Sequence, residues 1–116
     1  MGLETVSPHE LHHMVQADQV IVIDVNSRQS WMTAHVPSAR NLDPADFTAS
    51  ELPPDTQSTL VFYCSNPHCR KAPSAARRAK KMGYPNAKVM SAGISGWLAA
   101  ELPTATGSRD YVAVVP

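Results

Sequence analysis

Two short segments of the chain are apolar at nearly every position. They span residues 20–25, where Asp24 is the one charged residue, and residues 59–63. A strand with one face in water alternates apolar and polar residues, whereas an uninterrupted apolar strand is typical of a parallel sheet covered on both faces. Parallel strands need crossover connections, which are usually helices. These two segments therefore predict a sheet buried between helices.

Helical signals lie between and after these strands. Ser7, Pro8 and Glu10 are typical of a helix N-terminus, and the apolar spacing that follows predicts a helix ending near residue 17. Further helices are predicted over residues 27–33, 72–82 and 93–101, and further strands within 36–42 and 87–91. Because strands alternate with helices, the predicted fold class is α/β, with a mainly parallel central sheet and helices on both faces.

The length and the apolar content limit the class of protein. The chain has 116 residues, 43% of them apolar, so we expect a single domain over residues 1–116, with a core over 5–103 and a tail over 104–116. No apolar run approaches the roughly 20 residues that span a bilayer. The first residues lack the basic and apolar regions of a signal peptide. A cytoplasmic protein is predicted, with no membrane as a partner.

Charge is distributed unevenly along the chain, although the net charge is zero. Residues 1–55 contain eight acids and two arginines, whereas residues 56–100 contain seven cations and no acid. The second stretch predicts a local positive field that favours small anions, rather than a nucleic acid partner. A solvated basic helix face is the alternative interpretation.

The cysteines are the residues most suggestive of chemistry. Cys64 and Cys69 are too few and too close for a secreted disulfide framework. Cys64 follows the strand at 59–63 and precedes the helix at 72–82, which is where α/β sheets bind their ligands. Loop amides, the helix dipole and the nearby Arg70 and Lys71 are expected to lower the pKa of the Cys64 thiol below its usual value near 8.5. The alternative is a buried, inert cysteine.

A series of short motifs runs along the chain at residues 7–11, 22–25, 34–39, 61–64, 75–84, 91–97 and 102–103. In order and spacing these motifs resemble the single-domain rhodanese family, the fold of thiosulfate sulfurtransferases, and the resemblance covers nearly all of residues 5–103. It implies that Cys64 is the catalytic nucleophile and carries a persulfide. It also implies that no cofactor is needed.

The loop after Cys64 supplies the expected substrate-binding residues, which are Ser65, Asn66, His68, Cys69, Arg70 and Lys71. Arg70 is expected to bind an anion bidentately or to hold the loop carbonyls. His68 is expected to donate to the substrate or to serve only as a loop residue. No metal site is predicted, because Cys64, His68 and Cys69 would give only three crowded ligands.

Two further residues are expected to support the site. Asp24, at the carboxyl end of its strand, is expected to orient Arg70 or another loop group, or to form a buried ion pair. His35 is expected to hold the turn that precedes Val36 and Pro37.

The chain departs from the rhodanese pattern at several positions. Asn26 stands where the family commonly has arginine, and Ala34 and Ser38 replace glycines around His35. The Cys64 loop is also longer than the commonest sulfurtransferase loop.

Five residues separate Cys64 from Arg70, a spacing that resembles the phosphatase and arsenate reductase branch of the same fold. In that branch a wider loop accommodates a tetrahedral oxyanion. Tyr63 stands in place of the histidine typical of the branch, and Pro67 removes one amide from the loop.

Three functions therefore remain open. The first is sulfur transfer from thiosulfate or a persulfide donor to cyanide, a thiol or a partner protein, through a Cys64 persulfide. The second is arsenate reduction or phosphate ester hydrolysis in the Cys64–Arg70 loop. The third is a thiol redox-sensing or interaction module. Cys69 is expected either to resolve an oxidised Cys64 as a disulfide or to point into the core.

Overall fold

The computed structural model describes residues 2–107, which form one four-stranded sheet with helices. The strands are β1 (Ile21–Asp24), β2 (Arg40–Asn41), β3 (Leu60–Tyr63) and β4 (Ala87–Val89). The helices are α1 (Pro8–Gln16), α2 (Arg28–Thr33), α3 (Lys71–Lys81) and α4 (Gly93–Ala99), and a short 3-10 helix spans Ala49–Glu51. The strand order is β2-β1-β3-β4, and every pair of neighbours is parallel. The predicted α/β class is confirmed.

The two faces of the sheet are covered by different helices. Ile23 and Phe62 pack on one face against a row of alanines of α3, which are Ala72, Ala75, Ala76 and Ala79. Val22 and Val61 point to the other face, where they join Leu11 of α1 and Trp97 of α4. Side chains of neighbouring strand positions alternate between faces, so both faces of β1 and β3 need apolar residues. That requirement explains the continuous apolar runs.

The predicted element boundaries are close to the observed ones. At α1, Ser7 and Glu10 form the expected capping box, with hydrogen bonds of 3.1 and 2.7 Å. Gly83 follows the end of α3 with a φ of +104°, a conformation that favours glycine. The sequence patterns predicted β4 and α4 two residues too long at their carboxyl ends, and the 3-10 helix was not predicted.

Nothing within residues 2–107 is a helix with both the length and the apolar character needed to cross a membrane. Residues 108–116 of the predicted tail lie outside the described part of the chain.

Candidate active site

Cys64 lies at the carboxyl end of β3, immediately after Tyr63, and its side chain is only 3% exposed. Asp24 ends the neighbouring strand β1 in register with Tyr63. The ends of these strands therefore bring the Cys64 loop, residues 64–70, beside the loop that follows β1. This is the edge of a parallel sheet at which ligands bind.

The start of α4 holds the Cys64 loop in place. The backbone N–H of Ile94 donates to the carbonyl of Cys64 at 2.9 Å, and that of Ser95 donates to the carbonyl of Ser65 at 3.0 Å. Gly93 has a φ of +69°, and a Cβ there would lie 2.6 Å from backbone atoms of Ser65 and Asn66. Only glycine fits this contact. Gly93 was missed as a site residue; its one signal in the sequence was its place in the rhodanese-like motif at 91–97.

Within the loop, Asn66 forms a tight turn. Its side-chain Oδ1 accepts the backbone N–H of His68 at 2.9 Å, and its carbonyl accepts the N–H of Cys69 at 3.1 Å. Ser65, Asn66 and His68 are exposed, whereas Cys69 is half-buried and packs against the core cluster that contains Cys64. The turn thus sends the chain outward and returns Cys69 to the core.

The Cys64 thiol is not acidic in the free protein, which corrects the prediction of a lowered pKa. Burial, together with the hydrogen bond and charge of Cys69, raises the pKa of Cys64 to about 11, against the opposing effect of the Ala72 and Ser65 amides. Partial burial of Cys69 opposes its ionisation, but the hydrogen bond from Cys64 and the Lys71 and Ser65 amides lower the pKa of Cys69 overall. Cys69 is therefore the first of the two thiols to ionise as the pH rises.

Arg70 and Lys71 are both exposed at the start of α3, but they line different cavities. Arg70 lines a cavity of about 900 Å³ whose other cations are Arg77, Arg78 and Lys81. Lys71 lines a second cavity, of about 430 Å³, together with Asn26 and Arg28. Both cavities carry positive charge on the side of the Cys64 loop, in agreement with the predicted field.

Asp24 is fully buried and does not pair with Arg70. Among residues 2–107, the one ion pair within 4 Å joins Lys88 and Glu4. Oδ1 of Asp24 instead accepts the backbone N–H of Asn26 at 2.8 Å. Burial raises the pKa of Asp24 to about 6. Asp24 therefore orients the loop after β1, and the expected ion pair is wrong.

His35 is buried beside Trp31. Its ring stacks on Trp31 with centroids 4.5 Å apart, and its Nδ1 lies 2.7 Å from the Trp31 carbonyl. The next residue, Val36, donates its N–H to the Tyr63 hydroxyl at 3.0 Å. The turn after His35 is thus tied to the strand that carries Cys64.

Comparison with known proteins places this architecture in a family. The model of the Rhodanese-like domain matches residues 7–100 of the chain. The chain belongs to the rhodanese-like family. Among solved structures, the human single-domain sulfurtransferase TSTD1 superposes with a TM-score of 0.72 at 22% identity, over 84% of this chain and 97% of that one. At that identity the likeness shows the rhodanese-like fold.

Two curated relatives are larger proteins that contain a similar segment. The HTH-type transcriptional regulator Rv0324 of Mycobacterium tuberculosis is 29% identical over 107 residues, which cover 90% of this chain and 46% of the regulator. The adenylyltransferase and sulfurtransferase UBA4 of Candida albicans is 31% identical over 99 residues, which cover 79% of this chain and 23% of UBA4. This chain therefore spans less than half the length of either relative.

The described residues also bear on metal binding. Between residues 2 and 107, no three histidines, cysteines or acids lie close enough together to hold a metal ion.

Proposed function

We propose that this protein is a sulfurtransferase that moves sulfane sulfur from thiosulfate or a persulfide donor to a thiol or cyanide, through a Cys64 persulfide. The observation that carries the proposal is the position of the Cys64 sulfur at the end of β3, where the nearby backbone amides of Ser65 and Ala72 favour a negative charge on it. Amides directed at one point stabilise a negative charge there without reorganisation. A persulfide carries such a charge on its terminal sulfur.

The reaction has two displacement steps. The Cys64 thiolate attacks the outer sulfur of thiosulfate, the S–S bond of thiosulfate breaks, and sulfite leaves with the bonding electrons. An acceptor thiolate or cyanide then attacks the terminal sulfur of the persulfide, and the Cys64 thiolate leaves. Because the pKa of free Cys64 is about 11, its proton must be removed before the attack.

Intact-mass measurement tests this proposal. Reduced protein incubated with thiosulfate is expected to gain one sulfur atom, about 32 Da, and Cys64→Ser is expected to gain nothing. Peptide mapping should place the added sulfur on Cys64. Wild-type protein that stays at its original mass with both thiosulfate and a low-molecular-weight persulfide would overturn the proposal.

A second candidate function rests on the length of the Cys64 loop. Five residues separate Cys64 from Arg70, a spacing that resembles the branch of this fold in which a wider loop accommodates a tetrahedral oxyanion. Turnover of arsenate or of an aryl phosphate, without sulfur loading, would favour this reaction over sulfur transfer. Against it, Pro67 provides no N–H, and no acid lies between residues 56 and 100 to protonate a leaving group.

Both thiols must stay reduced for sulfur transfer. A reducing compartment such as the cytoplasm suits this requirement. The acceptor is proposed to be a small thiol or a thiol of a partner protein.

A further inference from the structure

Cys69 is placed as a reaction partner of Cys64 rather than as a surface residue. Both thiols are free, and Cys69 is half-buried against the same core cluster as Cys64. The two thiols are close enough for each to shift the pKa of the other. The persulfide route described above does not use Cys69, so it leaves the function of a second thiol at this position unexplained.

Loop geometry accounts for the closeness of the two thiols. The turn at Asn66 reverses the chain through its hydrogen bonds to His68 and Cys69. The backbone N–H of Ser65 lowers the pKa of both thiols, so both sulfur atoms lie near this amide. Disulfide formation requires Cα atoms within about 7 Å, which a turn of this kind allows.

We propose that the loop is a dithiol that reduces the sulfur it has captured and releases it as hydrosulfide. This step rests on the proposed Cys64 persulfide. The terminal sulfur of the persulfide is first protonated from water. The Cys69 thiolate then attacks Sγ of Cys64, the bond between Sγ and the terminal sulfur breaks, and the terminal sulfur leaves with the bonding electrons as HS⁻. A Cys64–Cys69 disulfide forms. The two cysteines are oxidised by two electrons in total, and the sulfane sulfur is reduced by two.

The local charges support this order of events. The lowered pKa of Cys69 makes it the thiol that is ionised first. Sulfuration of Cys64 removes the thiol proton that Cys64 shared with Cys69, which leaves the Cys69 thiolate without that partner. An external dithiol then reopens the disulfide, so that one turnover consumes one sulfane sulfur and one dithiol.

The experiment follows the mass of the protein and the release of sulfide in a single turnover. Reduced wild type and Cys69→Ser are each mixed anaerobically with thiosulfate or with cysteine persulfide, and HS⁻ is trapped with monobromobimane. For wild type we expect a gain of about 32 Da that decays to a form about 2 Da lighter than the reduced protein, with about one equivalent of HS⁻. For Cys69→Ser we expect a gain of about 32 Da that lasts at least about tenfold longer.

Each other outcome has a definite meaning. A persulfide that lasts equally long in both proteins, or sulfide release without a Cys64–Cys69 peptide, overturns the dithiol proposal and leaves sulfur transfer standing. Failure of both proteins to gain sulfur from either donor overturns the proposed function and the dithiol step together. Cys69→Ala provides a second variant in case the serine disturbs the loop, and circular dichroism verifies that each variant is folded.

Titration with oxidised glutathione examines the pair without any sulfur donor. Wild type is expected to form the internal disulfide, about 2 Da lighter, in preference to a mixed disulfide with glutathione. Stable glutathionylation of Cys64 with Cys69 left free would overturn the proposal, because it would show that the two thiols do not react with each other.

Discussion

The hydroxyl of Ser65 donates a hydrogen bond of 2.8 Å to Oδ1 of Asn26, although 39 positions separate the two residues. The backbone N–H of Asn26 also donates a hydrogen bond to the Asp24 carboxylate. The backbone carbonyl of Asn26 accepts a hydrogen bond from the side-chain amide of Asn41 at 2.9 Å. One residue thus ties the ends of β1 and β2 to the Cys64 loop. Asn26 is the position where the rhodanese pattern commonly has arginine, so here a neutral hydrogen bond positions the loop.

Asn26→Ala is expected to slow sulfur loading of Cys64 severalfold, because the Ser65 hydroxyl loses its acceptor. The same change is expected to lower the free energy of unfolding by about 1 kcal/mol. Asn86→Ala is the matched control, since it removes one asparagine hydrogen bond, to the Gln57 carbonyl at 2.9 Å, away from the loop. Urea unfolding and loading kinetics separate the two effects. Equal loading rates in the two variants would contradict a positioning role for Asn26.

Gly93→Ala is expected to displace the Cys64 loop. The added Cβ would meet the backbone of Ser65 and Asn66 at 2.6 Å, and backbone atoms yield less readily than side chains. We expect at least about tenfold slower sulfur loading. Gly83→Ala shares the strain of a positive φ, but its Cβ would have no neighbour within 4 Å. It should therefore lose stability by about 1 kcal/mol and load sulfur normally. Similar loading rates in both variants would contradict the requirement for glycine where residue 93 contacts the Cys64 loop.

The Cys64 thiol is expected to become more acidic when Cys69 is replaced by serine. Burial and Cys69 together raise the pKa of Cys64 to about 11, because a thiolate on Cys69 stabilises the Cys64 thiol as a hydrogen-bond donor and opposes a second negative charge. Alkylation of Cys64 at a series of pH values, followed by peptide mass spectrometry, measures this pKa. A midpoint that does not fall in Cys69→Ser would show that the two thiols titrate independently.

Local signals were enough to predict most of the fold. The capping box of Ser7 and Glu10 and the apolar run before Asp24 act over a few residues, so they can be recognised without knowledge of the tertiary structure. The 3-10 helix at Ala49–Glu51 was missed because its surroundings lack a periodic apolar pattern.

The chemistry of the site was less predictable than its location. Cys64 was found from its place after a strand, but its pKa depends on burial and on Cys69, which lies inward only because Asn66 forms a turn. The contact between Gly93 and the loop joins segments far apart in sequence. The burial of Cys64 and the turn at Asn66 leave no local pattern in the sequence, and they account for the incorrect prediction of the Cys64 pKa.

The stability of the Asp24→Asn variant relative to wild type is expected to increase as the pH rises. Burial raises the pKa of Asp24 from about 3.8 to about 6, so the folded state favours the protonated form. The contribution of protonated Asp24 to the stability of wild type is complete below about pH 3.8 and is lost as the pH rises through about 6. The difference in unfolding free energy between Asp24→Asn and wild type should therefore grow by about 2–3 kcal/mol between pH 4 and 7. Urea titrations measure it, with the exposed Asp46→Asn as a control, and a constant difference would contradict the assignment.

The basic cavity beside α3 is expected to speed the capture of anionic donors. Its cations include Arg70 at the end of the Cys64 loop, with Arg77 and Lys81 farther along the helix. Arg77→Glu and Lys81→Glu should each slow loading by thiosulfate severalfold at low salt, because they reverse a charge of the cavity. Lys80→Glu makes the same change in charge between these two positions, but Lys80 is not part of the cavity lining, so its effect should be smaller.

All differences in loading rate should shrink above about 0.1 M salt, where charges are screened beyond about 10 Å. An equal effect of Lys80→Glu would assign the attraction to the whole helix, and rates independent of salt would exclude electrostatic capture.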